Sequence, residues 1–333
     1  MAAIMKRLLV ALALVPACVG GERSDSGQCP TGETCSPETP SGLQFIGSSL
    51  LGAFVVGGPL ATAIGGTQEI ELDIEAAIGV YVPLNLAYTV DDDGGTGVRF
   101  DHQNGNIVTV RGAGSSSNYL RILDATTGDL FDRKMLTGSQ IAAIAVVPAT
   151  LDEIPTGMPV AYAAGQVDVG VALLDASGER LVDTSMVATL GGATQRAWDT
   201  LELPNASPGD FALSVTAGDS SPSQLTVSVV GGADAMVAID PASTIAPGDD
   251  ICFAATNAGR YVAGLAWSFT INGVATAGTA NCVSGDQPSG DLTVTASAGG
   301  QTATVEMTVV QSAVRHASHR PQPLPTAGER AAM

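Results

Sequence analysis

From Leu43 onward, short apolar runs return roughly every eight to twelve residues, each closed by Gly, Pro, Asn or Asp. That rhythm leaves few folds open. Such runs are too short for a packed amphipathic helix and long enough for a strand, and the residues between them favour tight turns. The runs are Ile70–Ile74, Ile107–Val110, Leu120–Leu123, Ile141–Val147, Val167–Leu174, Phe211–Val215, Leu225–Val230, Leu292–Ala296 and Val305–Val310. Asn104-Gly105, Asn272-Gly273 and Gly299-Gly300 read as two-residue hairpin turns, where these residues adopt positive φ at little cost. Composition points the same way. Glycine is 40 of 333 residues and charged residues are only 14 %, so the surface groups that usually build helices are scarce. The expected fold class is all-β, built from β-sandwiches.

Charge removes one class of partner. Lys plus Arg is 14 and Asp plus Glu is 33, a net charge of −19. A chain this acidic is repelled by phosphate backbones and carries no basic stripe, so no nucleic-acid partner is expected.

The first residues read as a targeting segment. Lys6 and Arg7 precede an apolar stretch from Leu8 to Val15, far short of the roughly 20 residues a membrane-spanning helix needs. It ends in Val15-Pro16-Ala17-Cys18, which resembles the lipobox of bacterial lipoproteins, with Pro16 where that family has a small residue. The resemblance implies that residues 1–17 are a signal peptide and that Cys18 becomes the acylated mature N-terminus. Several acyl chains hold a protein stably on a membrane. Val19 rather than aspartate follows the cysteine, which by the same resemblance implies the outer membrane. Residues 18–42 are polar and rich in Gly, Pro, Ser and Thr, the composition of a flexible tether. Cys29 and Cys35 lie within it and, in an oxidising compartment, read as a small disulfide loop; a zinc site would need four ligands, and no histidine lies nearby. With Cys18 lipidated, Cys252 and Cys282 remain as a second pair.

Three β units are expected, at 43–148, 149–239 and 240–311, followed by a disordered tail at 312–333. An internal repeat links the first two: Arg121-Ile-Leu-Asp-Ala-Thr-Thr-Gly-Asp-Leu-Phe-Asp132 aligns with Ala172-Leu-Leu-Asp-Ala-Ser-Gly-Glu-Arg-Leu-Val-Asp183. Each half is a strand, an Asp-Ala-x-Gly type of turn and a second strand, so Asp124 and Asp175 are expected to accept hydrogen bonds from turn amides. In the third unit, Pro247-Gly248-Asp249-Asp250 leads into Ile251 to Ala255, then Leu265 to Thr270 with Trp267 at its centre, then Asn281-Cys282-Val283 and two apolar strands. Over about 70 residues this resembles a bacterial immunoglobulin-like domain. The resemblance implies tandem immunoglobulin-like sandwiches. The cysteines depart from the antibody pattern, because 282 − 252 leaves only 30 residues between them. They fit better on two neighbouring antiparallel strands of one sheet.

Chemistry is sparse. Asp91-Asp92-Asp93-Gly94-Gly95 is the best ligand candidate, with Asp91 and Asp93 as possible calcium ligands, although the distal glutamate of an EF-hand is missing. His102 beside a hairpin turn would need a nucleophile and an orienting partner to act as a base. His316 and His319 have a metal-compatible spacing within a proline-rich tail. No phosphate-binding loop, nucleophile elbow or dinucleotide fingerprint stands out. The reading is a non-catalytic, lipid-anchored envelope protein displaying immunoglobulin-like domains for adhesion, spacing or binding. Its partners would be the membrane, through the N-terminal lipid, and an envelope protein or cell-surface ligand. The alternatives are a periplasmic scaffold for another envelope protein and a hydrolase whose site uses His102 or Asp91 and Asp93.

Overall fold

A computed structural model describes residues 34, 43–50, 53–56, 60–77, 80–149, 154–155, 157–239, 250–284, 287–298 and 300–309. Cys18, Cys29, Cys35, His316 and His319 lie outside the described residues. Among the described residues every element is a β-strand, and the fold is all-β. The chain divides into two compact units, residues 1–149 with 166–229, and residues 150–165 with 230–333.

In the first unit one sheet contains β1 (Leu43–Leu50), β2 (Ala53–Val56), β4 (Thr67–Ala77), β7 (Val98–Asn104) and β8 (Ile107–Gly112), in the order β2-β1-β4-β8-β7. β5 (Val80–Pro83) also pairs with β4. On β4 the residues alternate: Ile70 and Leu72 are fully buried while Glu69 is exposed, the period of two that a half-buried strand requires. Facing them are β6 (Tyr88–Asp92), β9 (Ser117–Asp124) and β10 (Leu130–Ser139), which send Val90, Leu120, Ile122, Phe131 and Leu136 into the same core as Val98, Val108 and Val110. Each fully buried aliphatic side chain contributes about 1.5–3 kcal/mol of transfer free energy. This is a sandwich, two sheets closed on one apolar layer.

The sheet holding β6, β9 and β10 continues. Its order is β16-β17-β13-β14-β3-β10-β9-β6, through β3 (Ala61–Ala63), β13 (Gly165–Leu174), β14 (Arg180–Val182), β16 (Thr194–Ala197) and β17 (Thr200–Ala206). β11 (Ala143–Pro148) pairs with β13 along its length. A further antiparallel ladder joins β15 (Val187–Leu190), β18 (Gly209–Thr216) and β19 (Ser223–Val230).

The sequence repeat therefore has a structural meaning of its own. The two repeated hairpins are β9–β10 and β13–β14, and they flank β3 in one sheet. The sequence places them in separate units at 43–148 and 149–239, whereas the first unit contains most of both segments. The cause is β3: at three residues it carries no periodicity of its own, yet it pairs in parallel with both repeats.

The second unit contains β12 (Val160–Ala163), β20 (Ala235–Ile239), β21 (Asp250–Asn257), β22 (Arg260–Ala263) and β25 (Cys282–Ser284) on one side. Here β12 lies beside β22, β22 beside β21, and both β20 and β25 pair with β21. The other sheet has the order β24-β23-β26-β27, from β23 (Ala266–Ile271), β24 (Val274–Thr276), β26 (Gly290–Ala298) and β27 (Gln301–Val309). Ile251, Phe253, Phe269, Ile271, Val283, Leu292 and Val294 fill the layer between them. Trp267, expected as a buried central tryptophan, is partly buried on β23 and packs against the margin of this core.

Of the expected turns, one forms as expected and one shifts, while Gly299 of the third lies outside the described residues. Asn272 and Gly273, both at positive φ, join β23 to β24. Between β7 and β8 the two-residue loop is Gly105-Asn106 rather than Asn104-Gly105, because Asn104 still pairs with Ile107 and Gly105 alone takes the positive φ. Glycine at the first loop position is the alternative hairpin solution, and the dipeptide does not distinguish the two.

Candidate functional site

The side chains with binding chemistry gather on the outward face of β6, β9 and β10. Alternation puts Leu120 and Ile122 into the core, so Tyr119 and Arg121 face outward. Register then sets Met135 opposite Tyr119, Arg133 opposite Arg121, and Asp91 on the other side of Arg121. The Arg121 guanidinium donates to both oxygens of Asp91, from Nε at 2.8 Å and Nη2 at 2.7 Å. The Arg133 guanidinium carbon lies 4.2 Å from the centre of the Tyr119 ring, within range of a cation–π contact. Met135 is half exposed. This face combines fixed guanidinium groups, an aromatic ring and a soft thioether, which suits recognition.

The acidic turn beside it is internally engaged. Asp92 accepts from the Gly94 amide at 2.9 Å, the Phe100 amide at 2.9 Å and Arg99 Nη1 at 3.1 Å. Asp93 accepts from the amides of Gly95 and Tyr119, each at 3.1 Å. Burial pushes the Asp93 carboxyl up, but those two amides together with Asn118 and the Arg121 charge outweigh it and hold the group below the ordinary carboxylate range. Asp91 and Asp93, read from sequence as calcium ligands, thus point at different protein donors. Calcium takes six to eight converging oxygens. Among the described residues no group of three or more His, Cys, Asp or Glu side chains is assembled to hold a metal.

His102, on β7, has the two partners a general base requires. A carboxylate only accepts, so Nδ1–H donates to Asp101 Oδ2 at 3.0 Å, which leaves Nε2 to accept from Thr109 Oγ1 at 3.3 Å. That is the order of a carboxylate, imidazole and hydroxyl relay. The surroundings differ from a working site: Thr109 is buried within β8, while the Asp101 and His102 side chains are 43 % and 63 % exposed.

Other candidates serve the fold. Cys252 and Cys282 form a disulfide and are direct partners across β21 and β25. The adjacent Asn281 is fully buried and donates from Nδ2 to the Phe253 carbonyl at 2.9 Å. Asp124 accepts from the amides of Thr126 and Thr127, and Asp175 from those of Ser177 and Glu179, as the repeated turn requires. The hydroxyl of Ser177 adds to this and holds Asp175 below its usual range.

Two residues escaped sequence reasoning. Asp183 and Asp132 close the two repeats, and both are drawn inward. Asp183 is 1 % exposed and accepts from the Thr67 amide at 3.0 Å, the Ser185 amide at 2.9 Å and the Gly218 amide at 2.7 Å. Asp132 sits at a bulge opposite Ile122, where burial pushes its carboxyl up to about 6. The available signal was a carboxylate directly after a buried apolar pair, Leu181-Val182 or Leu130-Phe131.

No protein family matches the sequence, and no curated protein matches it. Solved structures do. A structure described as the basis for Dscam isoform specificity is 11 % identical, with a TM-score of 0.21, covering 78 % of this chain and 76 % of that one. Domains 5–6 of the S-layer protein SbsC are 16 % identical, with a TM-score of 0.23, covering 51 % of this chain and 92 % of that one. Domains 4–9 of SbsC are 14 % identical, with a TM-score of 0.23, covering 82 % of this chain and 48 % of that one. Matches at this level assign the chain to no family and carry no activity across to it.

Proposed function

We propose that this chain is a lipid-anchored envelope protein, held at the outer membrane through Cys18, that displays β-sandwich units for adhesion, spacing or binding without catalysis. The observation that supports it is a join: a basic and apolar leader ending at Cys18, then a polar tether, then strand-built units. Fixed at one end, such a chain uses the tether for reach and offers sheet faces and loops to a partner. The outward face with Tyr119, Arg121, Arg133 and Met135 is the surface best equipped for that contact. Its acidic remainder keeps the display soluble.

Intact mass spectrometry of the membrane fraction tests this, wild type beside Cys18→Ser. A mature chain beginning at Cys18 with added acyl mass, lost from the membrane in the variant, supports the reading. A chain cleaved elsewhere and free in the medium overturns it.

Hydrolysis is a second reading, favoured by the Asp101–His102–Thr109 relay. Turnover of activated esters by the wild type that His102→Gln and Thr109→Val both abolish would replace the first reading with this one.

A further inference from the structure

β3 and the residues that follow it run through the middle of the first unit as a strap. On one side Thr62 and Ala63 pair in parallel with Gly138 and Ser139 of β10, and on the other Ala61 and Thr62 pair in parallel with Leu181 and Val182 of β14. The backbone then passes from Ser139 to Gly112 and on to Thr184. Ile64 donates to the Ser139 carbonyl at 3.0 Å, Gly65 donates to Gly112 at 2.8 Å, and Gly112 donates back to Gly66 at 3.0 Å. Asp219 donates to Ile64 at 3.0 Å, and Thr184 donates to Thr67 at 2.7 Å. The Asp183 carboxylate ties the end of the strap down, accepting from Thr67 on one oxygen and from Gly218 on the other.

The fit leaves no room for side chains. A Cβ on Gly66 would lie 2.5 Å from the Asp183 carboxyl carbon, and one on Gly112 would lie 2.2 Å from the Ala63 carbonyl oxygen. A Cβ on Gly218 would lie 2.2 Å from the Ile64 carbonyl oxygen, at a positive φ as well. Every one of these groups belongs to the first unit.

We infer that residues 60–67 lock the two repeat halves of the first unit into one body that opens, and yields to tension, in a single step. Direction supports the mechanical part. Because β3 and β14 are parallel, pulling β3 from its N-terminal end and β14 from its C-terminal end slides the strands past each other. Their hydrogen bonds are then loaded together instead of being peeled one at a time. Tension of that kind arises in the cell only if the N-terminal anchoring proposed above is right; the lock itself does not depend on it.

The test is to pull the full chain between handles attached at residues 60 and 229, which bracket the first-unit segments that β3 joins. Residues 60–149 and 166–229 should release as one step of about 154 residues, roughly 530 Å of extended chain, while residues 150–165 stay with the second unit. Asp183→Asn keeps the shape but turns an acceptor oxygen into a donor facing amide donors, and should split that step or lower its force. Two wild-type steps of about half that length each would overturn the lock, as would a variant that opens like the wild type. Should the variant not fold, hydrogen exchange on the wild type decides. The amides of Gly65, Thr67, Thr184, Gly218 and Asp219 should exchange as slowly as those of β8 and β9. Exchange a hundredfold faster would sink the inference. A chain without lipid that still opens in one step would refute only the anchoring.

Discussion

Arg121 and Arg133 stand directly opposite each other on β9 and β10, two like charges in register on a chain with a net charge of −19. Like charges so placed oppose strand pairing. Each has a compensating partner, the Asp91 carboxylate for Arg121 and the Tyr119 ring for Arg133.

This arrangement predicts a sign. Arg121→Ala and Arg133→Ala should each cost under about 1 kcal/mol, since the ion pair is only half-buried and the mutual repulsion is relieved by either change. The double variant should cost more than the sum of the two, by a few tenths of a kcal/mol, because the repulsion can be relieved only once. Urea titrations at low salt would measure this, and the excess should shrink in high salt. A double variant costing less than the sum would mean the two groups help each other.

Asp132 predicts a pH dependence. Burial raises its folded pKa to about 6, above an unfolded value of about 4. Between those values the folded state holds the proton and the unfolded state does not. The stabilisation is therefore full below about pH 4 and is lost as pH rises through about 6, on the order of 3 kcal/mol in all. Burial, then the neighbouring Glu71, also push Asp73 upward, and that works in the same direction. Asp132→Asn should flatten the fall and be more stable than wild type at neutral pH. Denaturation at pH 4, 5 and 7 would show it; a wild type that gains stability across this range would contradict the assignment.

The disulfide predicts a local loss. Cys252 and Cys282 are 30 residues apart, so opening the bridge should cost the second unit about 3–4 kcal/mol in the chain-entropy account. Trp267 reports on that unit and Trp198 on the first. With Trp198→Phe, reduction by dithiothreitol should move the remaining fluorescence transition to lower denaturant; with Trp267→Phe, the transition should stay in place.

Asn281 predicts a cost without a bridge. Replacing it by Ala strands the buried Phe253 carbonyl, its partner at 2.9 Å, and should cost about 1–3 kcal/mol. Thermal unfolding of Asn281→Ala with the disulfide intact would check this separately from the cysteines.

Much of this fold is legible locally, and the reason is local physics. The alternation of Glu69, Ile70, Glu71 and Leu72 decides which face of β4 is buried. Asp124 and Asp175 bond amides two to four residues ahead, so their roles travel with the sequence. Even there resolution is limited to about a residue, as the Gly105-Asn106 turn shows.

What tertiary structure alone decided lies where partners are distant. Asp132 and Asp183 align in the repeat, yet one titrates near 6 at a bulge while the other is held by Thr67, 116 residues away. The outward meeting of Arg121 and Arg133 needed the register of β9 against β10. β3 is three residues with no pattern to read, and its parallel pairing with both repeats is what makes one unit of two similar segments. Strand propensity and turn chemistry act over a few residues and are written in the chain; pairing between distant strands is settled only when burial and hydrogen bonding are satisfied together across the whole sheet.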